Sequence, residues 1–151
     1  MNYANNHAAM NKYTQVGNQS TAAFANPHRL IQMLMEGVLE KIATAKLHME
    51  KNEPAKKGEN ISVAISILDG LRISLDKSAG GEIAQNLDDL YDYMGRVLLK
   101  ANLKNDPSLL DEVAGLLNEI KSAWDAIPNE IVLDHANKAK AVDGKAVSNG
   151  G

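Results

Sequence analysis

Apolar residues recur at helical spacing through most of this 151-residue chain. Ile31, Leu34, Met35, Val38, Ile42, Ala45 and Met49 share one side of a 3.6-residue period. Asn26 and Pro27 stand before them as a cap and a first helical residue. The stretch "NEPAKKGEN", with Pro54 and Gly58, then predicts a break. A second helix is expected from roughly Glu59 to Lys77, with Ile61, Ala64, Ile65, Leu68, Leu71 and Leu75 turned inward. "SAGG" reads as its stop, because glycine accepts a positive φ without strain. The third helix carries Ile83, Leu87, Leu90, Met94, Val97, Leu98 and Ala101. "NDP" places Asp106 as a cap and Pro107 at the start of a fourth, which carries Leu110, Val113, Leu116, Leu117, Ile120, Trp124 and Ile127.

No run of alternating β-branched residues suggests a strand. Short links make successive helices antiparallel neighbours, so the expected fold is all-α, an up-down four-helix bundle over 26–128. Residues 1–25 are rich in Asn, Gln, Ala, Ser and Thr and are expected to form a mobile arm, with Met10 and Tyr13 among its few apolar points. Residues 129–151 are expected to be a disordered tail.

Charge and composition narrow the function. The formal net charge is −3 and no run of five basic residues exists, which argues against a nucleic-acid partner. No apolar run is long enough to span a membrane, and the N-terminus lacks a signal-peptide core. With no cysteine in the chain, a cytoplasmic protein is expected. Helical bundles often hold metals through Glu-x-x-His pairs, yet no glutamate here has a histidine three residues later. His7, His28, His48 and His135 are scattered and read as surface or capping residues. There is no phosphate loop and no nucleophile framework, so neither an enzyme nor a cofactor is expected.

Surface chemistry remains. The apolar band of the second helix is unusually wide, since Val63 and Ile67 extend it beyond the core stripe. Either that helix sits centrally and buries more of its circumference, or Val63, Ile67 and Leu71 line a groove for a partner's helix. Tyr93 lies to one side of the third helix's stripe, a half-wet position that suits a phenol. Tyr91 is expected at the core edge with its hydroxyl on a polar partner, and Asn86 and Asn102 as fasteners of helix ends.

The order of "NPHRLIQMLMEGVLEKIATAK", "ISILDGLRISLD", "GGEIAQNLDDLYDYM", "LLKANLKND" and "LDEVAGLLNEIKSAWDAI" resembles the flagellar export chaperone family FliS, over roughly residues 21–128. The helix-three pattern of Asn86, Leu87, Leu90, Tyr91, Tyr93, Ala101 and Asn102 is its most specific part. Many members have Tyr-Asp-Gly where this chain has Met35, Glu36 and Gly37, and a bulkier residue in place of Gly95. The resemblance implies a cytoplasmic chaperone that binds the disordered C-terminal region of flagellin, blocks premature polymerisation and keeps it fit for type III export. It implies no cofactor, and adds the export apparatus and other flagellar regulators as further partners. Under it, Val63, Ile67, Leu71 and Tyr93 become flagellin-binding residues, and Met10 and Tyr13 belong to an arm covering that site. The alternative is a regulatory adaptor for another flagellar factor, an anti-sigma factor or a co-chaperone.

Overall fold

A computed structural model describes residues 26–127. Four helices occupy almost all of this range: α1 (Pro27–Glu50), α2 (Pro54–Ile73), α3 (Lys77–Lys104) and α4 (Pro107–Ala126). There is no strand among the described residues. Helix α1 packs on α2 and α4, and α3 packs on the same two, which closes a four-helix ring. Residues 1–25, which include Met10 and Tyr13, and residues 128–151 lie outside the described residues.

The caps follow from local chemistry. Asn26 is extended (φ −119°, ψ 97°) and its side chain accepts from the Arg29 amide at 3.2 Å, while Pro27 occupies the first turn, where an N–H would have no partner. Asp106 accepts from the Ser108 amide at 2.9 Å ahead of Pro107. Between α1 and α2, Asn52 adopts φ 56°, its amide donates to the Met49 carbonyl at 3.2 Å, and the Glu53 amide donates to the His48 carbonyl at 2.9 Å. That paired closure ends a helix in three residues.

Two expected boundaries shift. Pro54 does not break the chain but begins α2, about five residues earlier than the sequence pattern placed it. Gly58 is then interior to the helix, where it faces the Asn102 side chain at ordinary contact distance. Buried Lys57 explains part of the early start. Its ammonium donates to the Asn102 carbonyl at 3.2 Å and to Asn105 Oδ1 at 3.1 Å, a cation set at the C-terminal end of α3.

"SAGG" likewise is not the stop of α2. That helix ends at Ile73, and Asp76 caps α3 by accepting from the Ser78 and Ala79 amides at 3.1 and 3.0 Å. The first turn of α3 is joined to the rest through Gly81, whose φ of 53° and ψ of −126° lie outside helical geometry. Only glycine takes that conformation without strain. Gly80 is needed for space, since a Cβ there would sit 2.8 Å from the Cβ of Ala84. Gly81→Ala should lower stability by about 1–3 kcal/mol in a urea or thermal titration. A loss no larger than that of a surface substitution would show that the kink relaxes freely.

The core contains Met35, Val38 and Ile42 from α1, Ile61, Ile67, Leu68 and Leu71 from α2, Met94 and Leu98 from α3, and Leu110, Val113 and Leu117 from α4. Six of the seven apolar positions expected in α1 are buried, and Ile31 packs at the edge. The surplus width of α2 has a structural cause. It is flanked by α1 on one side and α3 on the other, and Ile67 is completely buried rather than facing a partner. Helix α3 departs from its stripe in the opposite sense. Ile83 is 73% exposed and Leu90 is 38% exposed, whereas Tyr91 enters the core.

Candidate functional site

The exposed Ile83 is explained by an opening in the bundle. The start of α1, the end of α2, the start of α3 and the end of α4 all meet at one end of the ring. There they leave a groove of about 710 Å³. Ile31 and Met35 form one wall, and Leu71 and Leu75 lie deeper. Ala79, Ile83, Ala84 and Leu87 of α3 face Ile120, Ala123, Trp124 and Ile127 at the close of α4. The volume falls within the range of ligand sites, about 300–1,000 Å³, and its lining is almost wholly apolar. Apolar side chains left facing water in one continuous depression mark an interaction surface.

Two polar devices hold the walls. His28, buried in the first turn of α1, stacks on Trp124 with ring centroids 5.0 Å apart and planes 16° from parallel. His28 Nε2 donates to the Trp124 carbonyl at 2.8 Å, and Trp124 Nε1 donates back to the His28 carbonyl at 3.0 Å. This reciprocal clasp fixes the end of α4 against the start of α1, so His28 is a structural residue of the interior rather than a surface one.

On the other side, Arg72 donates to Asp88 at 2.9 Å and to Asp92 at 3.3 Å, and Lys77 reaches Asp88 at 3.2 Å. Hydrogen bonding from Arg72, then from Lys77, holds the Asp88 carboxyl below the usual carboxylate range. A depressed native pKa stabilises the fold above the unfolded value, near 3.9, and the effect fades as pH falls through the native value. The melting temperature of Asp88→Asn should therefore lie below wild type between about pH 5 and 8, and the gap should close below about pH 4. A gap that stays constant into acid would assign the loss to packing.

Tyr91 sits between core and groove. It is 3% exposed, and burial pushes its phenol up to about 12. The sequence suggested a polar partner for this hydroxyl, but it makes no hydrogen bond among the described residues. It lines the groove instead.

Of the residues expected to meet a partner, only Leu71 lines the groove. Ile67 belongs to the core, and Val63 is half-buried against it on the same helix. Tyr93 is 40% exposed and donates to Glu112 Oε2 at 2.6 Å across the α3–α4 seam. That bond and the Glu112 charge raise the Tyr93 phenol above its ordinary value. Asn86 is exposed, and at Asn102 it is the main-chain carbonyl that accepts from Lys57 at 3.2 Å, not the side-chain amide expected to fasten the helix end. The sequence reading missed Ile83, Leu87 and Ile127 as groove residues because their helical spacing made them core. The available signal was the glycine pair, which marks where α3 changes direction. Among the described residues no group of His, Cys, Asp or Glu could hold a metal ion, and no helix is long and apolar enough to cross a membrane.

Bundle and groove together define a class: a small all-helical domain with one open apolar end. A family description, "Flagellar protein FliS", matches residues 9–131, and this chain belongs to the FliS family. Flagellar secretion chaperone FliSB of Pseudomonas aeruginosa is 53% identical over 119 residues, 79% of this chain and 94% of the relative. Flagellar secretion chaperone FliS of Salmonella typhimurium is 48% identical over 116 residues, covering 76% and 86%. The protein of that name from Bacillus subtilis is 35% identical over 117 residues, covering 78% and 86%.

Proposed function

We propose that this chain is a cytoplasmic flagellar secretion chaperone whose client is the C-terminal region of flagellin. The observation that carries this reading is the open apolar groove in a member of a family whose relatives are named for that chaperone role. A client segment that is disordered when free must lose conformational freedom on binding, and burial of apolar side chains offsets that cost. The groove supplies such burial, with Asp76 the one charged residue in its lining. Leu71 lies on its floor, Ile67 supports that floor from the core, and Val63 and Tyr93 stand outside it as candidate peripheral contacts. Covering the client in this way keeps its apolar face from other flagellin subunits until export. No step requires ATP or a cofactor.

Titration of the methyl-labelled protein with a flagellin C-terminal peptide tests the reading. The methyl signals of Ile83, Leu87 and Ile120 should move together to saturation. Silence at those methyls, with flagellin absent from the partners captured by the full chain, would point to an adaptor for another flagellar factor.

A further inference from the structure

The first turn of α3, from Lys77 to Gly80, forms part of the groove wall through Ala79 and Gly80, yet little fastens it to the bundle. Every residue from Asp76 to Ile83 is exposed, and Ala84 is the first of this helix to be buried. Helix α4 is an internal comparison, because its cap uses the same chemistry. Asp106 accepts from the Ser108 amide and hydroxyl at 2.9 and 2.6 Å, as Asp76 accepts from those of Ser78 at 3.1 and 2.7 Å. In α4, however, Leu110 is completely buried and pins the opening turn to the core. In α3 the cap bonds, and the Gly80 amide on the Asp76 carbonyl at 2.7 Å, stay within the turn and make it a small rigid body. One side-chain bond among the described residues joins it to what lies beyond Gly81, from Lys77 Nζ to Asp88 Oδ2 at 3.2 Å. Lys77 is 53% exposed, and an ion pair so open to water is weak. Asp88 itself is held in place, since Arg72 donates to its other oxygen at 2.9 Å.

We propose that this turn is a flap on the groove, hinged at Gly81 and latched by Lys77 on Asp88. A Cβ at Gly81 would meet nothing within 4 Å, so that glycine serves its backbone conformation rather than close packing, and space for a pivot is present. On the other side of the turn Leu75 stays packed against the core and anchors the link from α2. Gly80 seated against Ala84 defines the closed position. Swinging outward uncovers no buried side chain of the turn, the condition under which a segment opens without unfolding its domain. The motion carries Ala79 and Gly80 off the wall and widens the mouth of the groove. Its role as a gate for the client rests on the functional reading above, whereas the motion itself does not.

Methyl and amide spectra of the full chain without client test the motion. Relaxation dispersion, which reports exchange on the μs–ms scale, is expected at Ser78, Ala79 and Gly80 and not in the first turn of α4. Two variants displace the flap by different means. Lys77→Gln removes the latch, and Gly80→Ala wedges the closed position, where the added Cβ would lie 2.8 Å from that of Ala84. Because Ala84 is buried, the exposed turn is the side that gives way. The methyls of Ala79 and Ile83 should move along one line from wild type through Lys77→Gln to Gly80→Ala, with the melting curve retained. Added salt should move wild type along that line and leave Lys77→Gln where it is, and Lys77→Arg should stay at the wild-type end. Flat dispersion with unmoved methyls in both variants overturns the flap. A response to Lys77→Gln confined to its own neighbours and Asp88 would make the bridge a static tie and overturn the latch. With the flap open more often, flagellin C-terminal peptide should bind Lys77→Gln about two- to fivefold tighter. Weaker binding would make the closed turn the client's form and overturn the gate. Moved methyls with unchanged affinity would keep the flap and remove the client from this groove.

Discussion

Trp124→Ala is expected to lower the free energy of unfolding by about 3 kcal/mol in a denaturant titration followed by circular dichroism. Truncation of a fully buried aromatic costs about 3–5 kcal/mol, and Trp124 is only partly covered, which places it at the lower end. Two further losses accompany the missing indole. The stacking partner of His28 disappears, and the His28 carbonyl loses the donor that reaches it at 3.0 Å. Because Trp124 is the chain's single tryptophan, wild-type emission should shift to the red on unfolding. Emission already characteristic of exposed indole in the folded protein would contradict the clasp. A loss under about 1 kcal/mol would mean that it contributes little.

Ile83→Asp should produce the largest effect on binding with the smallest effect on folding. Its side chain is 73% exposed, so a carboxylate there remains hydrated in the free protein and the melting temperature should hardly change. In the complex the same carboxylate would be enclosed by Leu87, Ile120 and Ile127 without a cationic partner in the groove lining. Flagellin peptide should bind at least tenfold more weakly by calorimetry, which corresponds to about 1.4 kcal/mol or more. Ile67→Asp is the contrasting case. It would put a charge at a fully buried core position and should unfold the domain rather than spare it. A folded Ile83→Asp protein with undiminished affinity would exclude the groove as the client site.

Local chemistry made much of the fold legible. Asn26 with Pro27 and Asp106 with Pro107 carry their capping geometry in their side chains, so those helix starts could be placed from the sequence. Pro54 was ambiguous because proline both ends helices and begins them, and the deciding interaction, Lys57 on the end of α3, joins residues 45 apart. Gly81 signalled a positive φ correctly, but a positive φ alone does not distinguish a terminus from a kink. The site was less legible for a related reason. Helical spacing reports which face of a helix is apolar, not how far its neighbour extends. Ile67 therefore read as surplus beyond a core stripe and Ile83 as part of one, whereas Ile67 is sealed by two flanking helices and Ile83 borders the open end. His28 gave no signal, since its partner lies 96 residues away.

That same separation has a kinetic consequence. The seams between consecutive helices close over links of two or three residues, but the His28–Trp124 contact joins opposite ends of the described chain. Contacts of such long range form only after the intervening chain has been ordered, because their loop-closure entropy is otherwise uncompensated. The clasp is thus expected to be absent from the rate-limiting structure for folding, though present in the native state. An interaction of that kind leaves the refolding rate nearly unchanged and slows unfolding. Trp124→Ala should move the unfolding limb of the chevron and spare the refolding limb. On that outcome the clasp sets the lifetime of the closed ring, and so the interval for which its open end keeps its shape.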